Sequence, residues 1–214
     1  MPSSAQILDG LTNITNEWRI LAAFWHGYFA LLGVGLGIGW RPSKRFAGML
    51  LGLPLLSVSA LAWASSNPFN GVAFALGAAV LVASSVRLSG RVNIGRTWLI
   101  CLGATFFAFG WIYPHFLATE SSLAYLYAAP TGLIPCPTLS VVIGLALMVN
   151  GLNSRAWSLL LAIMGLSYGI FGGVVLEVGI DWILAVAALT ILLIGIFGLT
   201  DTEQVATSRL TANE

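Results

Sequence analysis

Gly132-Leu133-Ile134-Pro135-Cys136-Pro137-Thr138-Leu139-Ser140 sets a thiol between two prolines at the head of an apolar run. Proline has no amide to donate and fits the first turn of a helix. The spacing therefore predicts a helix that begins at Pro137, with Cys136 as its cap. A helix N-terminus presents free amide donors and a positive partial charge, and a thiol held there gains reactivity. Leu133 to Cys136 would then enter as non-helical backbone, which a bilayer tolerates only beside protein or a wet cavity. The same residues also suit a proline-shaped helix start around an inert, buried cysteine.

Other chemistry-bearing residues fall at the same expected depth. His26 lies in the outer third of the first apolar run, Tyr113 and His115 at the outer end of the fourth, and Glu120, Glu177 and Asp181 near the same boundary. Ionisable groups near hydrocarbon are costly and often functional. The candidate ligand site is thus Cys136 with Pro135, Pro137, Thr138, Tyr113, His115, His26, Glu177 and Asp181, the histidines and carboxylates supplying proton or cation ligands. Glu177 and Asp181 could equally solvate a short turn. Cys101 lies near the opposite boundary, too far from Cys136 for a disulfide. There is no Cys-x-x-Cys or His-Glu-x-x-His motif, so a metal would need Cys136, His115, His26 and carboxylates from different spans. The single lysine, Lys44, lies in a loop, which excludes a retinal Schiff base. No cofactor and no catalytic group is indicated.

The elements that must position these residues are membrane spans. Of 214 residues 58% are hydrophobic and 8% charged, against about a quarter charged in soluble domains. Several runs approach the roughly 20 apolar residues that cross a bilayer. The expectation is an all-α polytopic membrane protein with seven spans, at about 20–40, 46–64, 71–86, 97–113, 137–152, 156–175 and 182–199. Six spans would follow if one short run beside Glu177 and Asp181 failed. Arg41, Lys44, Arg45, Arg87, Arg91, Arg96, Arg155 and Arg209 fall on one side and only Arg19 on the other. The positive-inside rule then places residues 1–18 as an outer tail and 201–214 as an inner tail. Met1 to Glu17 is polar, lacks a basic start and contains Asp9, unlike a signal peptide. Most tryptophans sit at expected interfaces, with Trp25 displaced by about a turn and a half. The fifth span, Pro137 to Leu152, covers roughly 24 Å of an about 30 Å hydrocarbon core, so its start is expected below the outer surface.

Glycines at four-residue spacing let helix backbones approach closely. Gly33/Gly37, Gly35/Gly39 and Gly165/Gly169/Gly173 follow that pattern. Internal packing is the main expectation; a homo-oligomer or a membrane-complex partner through Gly33, Gly37, Gly165 and Gly169 is the other. The lipid bilayer is the expected surrounding, and nothing points to nucleic acid. Pro54-Leu55-Leu56-Ser57-Val58 echoes Pro137-Thr138-Leu139-Ser140-Val141, a faint sign of an inverted repeat of the kind transporters use.

Tyr113-Pro114-His115, the Gly132 to Ser140 stretch and the Gly172 to Leu184 segment occur together. In these features the second half, about Gly110 to Leu199, resembles a family of prokaryotic multi-pass membrane proteins known only as a domain of unknown function. That resemblance implies fold and topology and brings no activity. The Pro-Cys-Pro-Thr helix start is also similar to the helix break of nickel/cobalt exporters and of thiol-electron transporters of the cytochrome-biogenesis type. The exporters carry a histidine- and aspartate-rich first span where this chain has only His26, and the electron transporters need a second cysteine at the depth of the first.

The sequence thus favours a small transporter or channel of a prokaryotic inner or plasma membrane, with its site open to the outer face. A structural or assembly subunit is the alternative, and membrane thiol or metal chemistry comes last.

Overall fold

The computed structural model describes residues 3–197, which form helices joined by short turns. In chain order these are α1 (Ser4–Glu17), α2 (Arg19–Gly37), α3 (Lys44–Ala64), α4 (Pro68–Val86), α5 (Thr97–Ile112), α6 (Tyr125–Ala128), α7 (Pro135–Met148), α8 (Arg155–Ile170) and α9 (Trp182–Phe197). One π-helical stretch, Phe171–Val175, extends α8. Five stretches are long and apolar enough to cross a bilayer: Arg19–Gly37, Lys44–Ala64, Pro68–Val86, Arg155–Val175 and Gly179–Phe197. They mark the chain as an integral membrane protein. α5 and α7 are apolar but shorter, with 16 and 14 residues. The tail at 201–214 and the end of the seventh expected span lie outside the described residues.

Local chemistry sets the helix ends. Ser43, Asn67 and Ser154 cap α3, α4 and α8 by accepting amide protons of the first turn, as short polar side chains do at that position. Inside α3, Pro54 leaves the Leu50 carbonyl without its usual partner. The Tyr28 hydroxyl of α2 takes that place, 2.8 Å away, so the proline becomes an anchor between two helices.

Residues 1–18, expected as a tail, contain a helix. Ser3 and Gln6 form a reciprocal capping box at the start of α1. Ile7, Leu11 and Ile14 share one face of it, and Trp18 marks the break between α1 and α2.

α7 is the centre of the bundle, with every residue from Pro137 to Leu147 buried. A helix apolar all round is buried all round. Its antiparallel neighbour is α5, and the two touch through backbone. A methyl group on Gly144 would lie 2.6 Å from the Gly103 carbonyl oxygen, and one on Gly110 2.6 Å from that of Pro137. α3 pairs with α4 and α8 with α9, forming two hairpins around that centre.

The start of α7 differs from expectation. Its cap is Ile134, the helix begins at Pro135, and Cys136 sits inside the first turn. First-turn amides have no acceptor within the helix, so both prolines fit there without losing a hydrogen bond. Leu133 and Ile134 are fully packed by protein. α7 ends at Met148, and a left-handed turn at Asn150, Gly151, Leu152 and Asn153 reverses the chain.

Gly165, Gly169 and Gly173 face α9: methyl groups there would meet Ala188, the Ala185 backbone and Trp182 within 3 Å. Gly165 and Gly169 are thus filled by packing within the chain, the main expectation for these glycines. Around Gly37 there is open space, and Gly33 meets only the Phe107 ring at 3.9 Å.

Charge divides between the two ends. Arg41, Lys44, Arg45, Arg87, Arg91, Arg96 and Arg155 lie in or beside the α2–α3, α4–α5 and α7–α8 connections. Those connections are tied together by a Ser43–Arg91 bridge and by Gly95 donating to Met148. Asp9, Glu17, Glu120, Glu177 and Asp181 belong to α1 or to connections at the other end. Trp25 is displaced from the interface because it is a core residue: its indole donates to Ser57 and packs on Gly132.

Candidate functional site

At the α1 end, the terminus of α5, the first turn of α7 and the turn before α9 converge on one carboxylate. Asp181 is 2% exposed. The Tyr113 hydroxyl donates to its Oδ1 at 2.5 Å, and the Cys136 thiol donates to its Oδ2 at 3.1 Å. No cationic side chain forms an ion pair with it among the described residues. A buried carboxylate without a paired cation is costly, so its neutral donors are essential to holding it there. The thiol acts here as a proton donor to a carboxylate. That differs from the reactive helix-end thiol expected from the sequence, which would carry negative charge.

Each member is placed by a local irregularity. Tyr113 follows the last turn of α5 at a chain break forced by Pro114, and its ring stacks on Phe116 at an interplanar angle of 11°. Phe116 itself has a left-handed φ of 70°. Asp181 closes the short Gly179–Asp181 turn at the head of α9. Gly172, in the π-helical stretch, makes room for it: a methyl group there would overlap Asp181 Oδ2. Single-turn π segments inside α-helices recur at functional sites.

Asp181 and Cys136 lie on the wall of a cavity of about 430 Å³. Its wall is mostly apolar, from α1 (Ile7, Leu11), α4 (Phe69, Ala73) and α8 (Ile163, Met164). Asn70, Ser167 and Tyr168 complete the polar side, with the Tyr168 hydroxyl donating to Asn70 Oδ1 at 3.0 Å. A concave apolar site of a few hundred Å³ with a few convergent polar groups is the usual form of a small-molecule site.

α1 roofs the cavity and is tied to the rim. Asn16 Nδ2 donates to the Phe116 carbonyl and Asn16 Oδ1 accepts from Ala118 N, while Arg19, the first residue of α2, donates to Asn16 Oδ1 and to the Ala118 carbonyl. Ser4 donates to the Val175 carbonyl at the far side.

The remaining sequence candidates separate by role. Pro135 lines the cavity beside Cys136. Pro137 is buried in the α5 contact. The Thr138 hydroxyl donates to the Ile134 carbonyl at 2.6 Å and accepts from Gly132 N at 2.8 Å, so Thr138 locks the helix start. His26 is buried in α2 with its ring nitrogens 2.8 Å from the Ala22 carbonyl and 3.0 Å from that of Trp111. His115 and Glu177 are exposed, and neither lines the cavity. Among the described residues no three His, Cys, Asp or Glu side chains converge on a metal position. The metal set of Cys136, His115, His26 and carboxylates is therefore not assembled. Asn70, Ser167 and Tyr168 carry no sequence signal, because uncharged polar groups are common within apolar helices; Gly172 enters the sequence reading only as the start of the Gly172 to Leu184 segment.

Comparison of the chain with protein-family models, with curated proteins and with solved structures yields no match.

Proposed function

We propose that this is a seven-span membrane protein of transporter type, with the N-terminus outside, whose ligand site is the cavity beneath α1 at the outer face. α5 and α7 would be the two short spans, α7 shielded from lipid by its neighbours. The basic end would lie inside by the positive-inside rule. One observation carries the reading: the buried Asp181 carboxylate, bonded only to the neutral donors Tyr113 and Cys136 among the described residues, faces an apolar cavity. Such an intramembrane carboxylate is by default a binding or proton-handling group.

Sidedness of the thiol tests this. In a Cys101→Ser background, Cys136 is the only cysteine. A membrane-impermeant thiol reagent added to intact cells should modify Cys136 slowly, and reagent confined to the inner side should not. Modification from the inner side alone, or complete inertness of the folded protein from both sides, overturns the reading.

A further inference from the structure

We infer that the ligand is a bilayer-dissolved amphiphile with a hydrogen-bond-donating head, a hydroxyl or an amine, that enters sideways between α4 and α8 and docks its head on Asp181. This inference rests on the transporter-type reading of the same cavity and adds the class of ligand and its route.

The route follows from the rim. Phe69, Ile163 and Phe171 line the cavity, yet are 76%, 59% and 40% exposed. They belong to two membrane-crossing stretches, Pro68–Val86 and Arg155–Val175, so their exposed faces meet hydrocarbon. The bundle end is covered by Ile7 and Leu11 of α1. The cavity is thus roofed toward water and open toward lipid, and a solute from water would have to displace α1 first.

The head-group chemistry follows from the wall. A carboxylate accepts about four hydrogen bonds, and protein supplies one to each oxygen of Asp181. The remaining capacity suits a donor. An anionic head would meet the carboxylate's own charge. A bare divalent metal ion needs several oxygen, nitrogen or sulfur ligands, and no three His, Cys, Asp or Glu side chains converge among the described residues. Further along the wall Asn70 accepts from Tyr168 through its carbonyl oxygen, and its side-chain amide is a second polar group of the lining.

The test uses the Cys101→Ser protein in phosphatidylcholine nanodiscs, with a diazirine-bearing long-chain alcohol and the matching diazirine fatty acid as probes. Cross-links are mapped by mass spectrometry. The alcohol should label residues 69–73 and 163–171 saturably, be displaced by excess 1-dodecanol, and exceed the acid by about tenfold or more, the scale of one charged hydrogen bond. Asp181→Asn should bring the alcohol-to-acid ratio toward one. Ala73→Trp, which fills part of the cavity from the α4 side, should abolish saturable labelling by both. Unsaturable labelling spread over every lipid-facing helix overturns the inference. In the same nanodiscs, choline is tested for protection of Cys136 from an impermeant thiol reagent. Protection by choline with no displacement by 1-dodecanol overturns the amphiphile while the site stands. A Cys136 that no reagent reaches, together with unsaturable labelling, overturns both.

Discussion

The Tyr113 hydroxyl lies 2.5 Å from Asp181 Oδ1 although 68 positions separate the two residues. It ties the end of α5 to the head of α9 and supplies one of the two hydrogen bonds that a buried carboxylate receives. Removing it leaves Asp181 under-satisfied rather than merely losing a contact. Tyr113→Phe is expected to destabilise the folded protein by about 1–2 kcal/mol, between the modest value of interhelical bonds in membranes and that of bonds to charged groups. Asp181→Asn in that background should recover part of the loss. A double-mutant cycle followed by thermal unfolding in detergent checks this, and additive effects would show that the pair is not coupled.

Gly172 is the second support of the same carboxylate. Its missing side chain is the space that Asp181 occupies. Gly172→Ala should push the carboxylate off Tyr113 and Cys136, lower the melting temperature and speed thiol labelling of Cys136. A methyl group on Gly179, seven residues on, would meet nothing within 4 Å, and the backbone there has no left-handed φ. Gly179→Ala should leave both readouts unchanged. Equal behaviour of the two alanines would remove the special role of Gly172.

The α5–α7 contact is the main packing constraint on the site, because it fixes Cys136 against Tyr113. A methyl group on Gly144 would lie 2.6 Å from both the Gly103 carbonyl oxygen and the Phe107 amide nitrogen, and backbone cannot step aside as a side chain can. Gly144→Ala should therefore cost about 1–3 kcal/mol or more, the scale of overpacking. Gly37→Ala, in open space, should be neutral. Detergent melting curves of the two variants measure the difference.

Depth is legible in the sequence, and angle is not. Hydropathy and the charged connections place Cys136, Tyr113 and Asp181 near one boundary, since burial in lipid sets position along the membrane normal. Which residues at that depth face each other depends on rotation about each helix. α5 and α7 are apolar on every side, so their sequences carry no rotational signal. His26 shares the depth but turns to Trp111, and His115 shares it but stays exposed. The stretch that forms α1 reads as a tail because it is polar on average, although Ser3 and Gln6 at capping-box spacing and the Ile7, Leu11, Ile14 stripe are both present. The inner tail and the seven-span count rest on sequence. The site's tyrosine, cysteine and aspartate stand among the sequence candidates, and their hydrogen bonds come from the fold.

α1 is held over the cavity mainly by polar contacts at its C-terminal end, and that makes it separable from the core. Asn16 bonds both the Phe116 carbonyl and the Ala118 amide, at 2.9 Å each, while Ile14 is the buried apolar residue of this helix. An exposed or half-buried side-chain hydrogen bond contributes about 0.5–1.5 kcal/mol, and the bundle of α3 to α9 does not depend on it. Asn16→Ala should therefore shift global stability by about 1 kcal/mol or less, yet raise the labelling rate of Cys136 by an impermeant thiol reagent, because α1 lifts more often from the end of the bundle. Asn13→Ala, on the same helix but with no side-chain hydrogen bond among the described residues, is the matched control. An unchanged labelling rate in Asn16→Ala would mean that α1 does not limit access from water to the cavity.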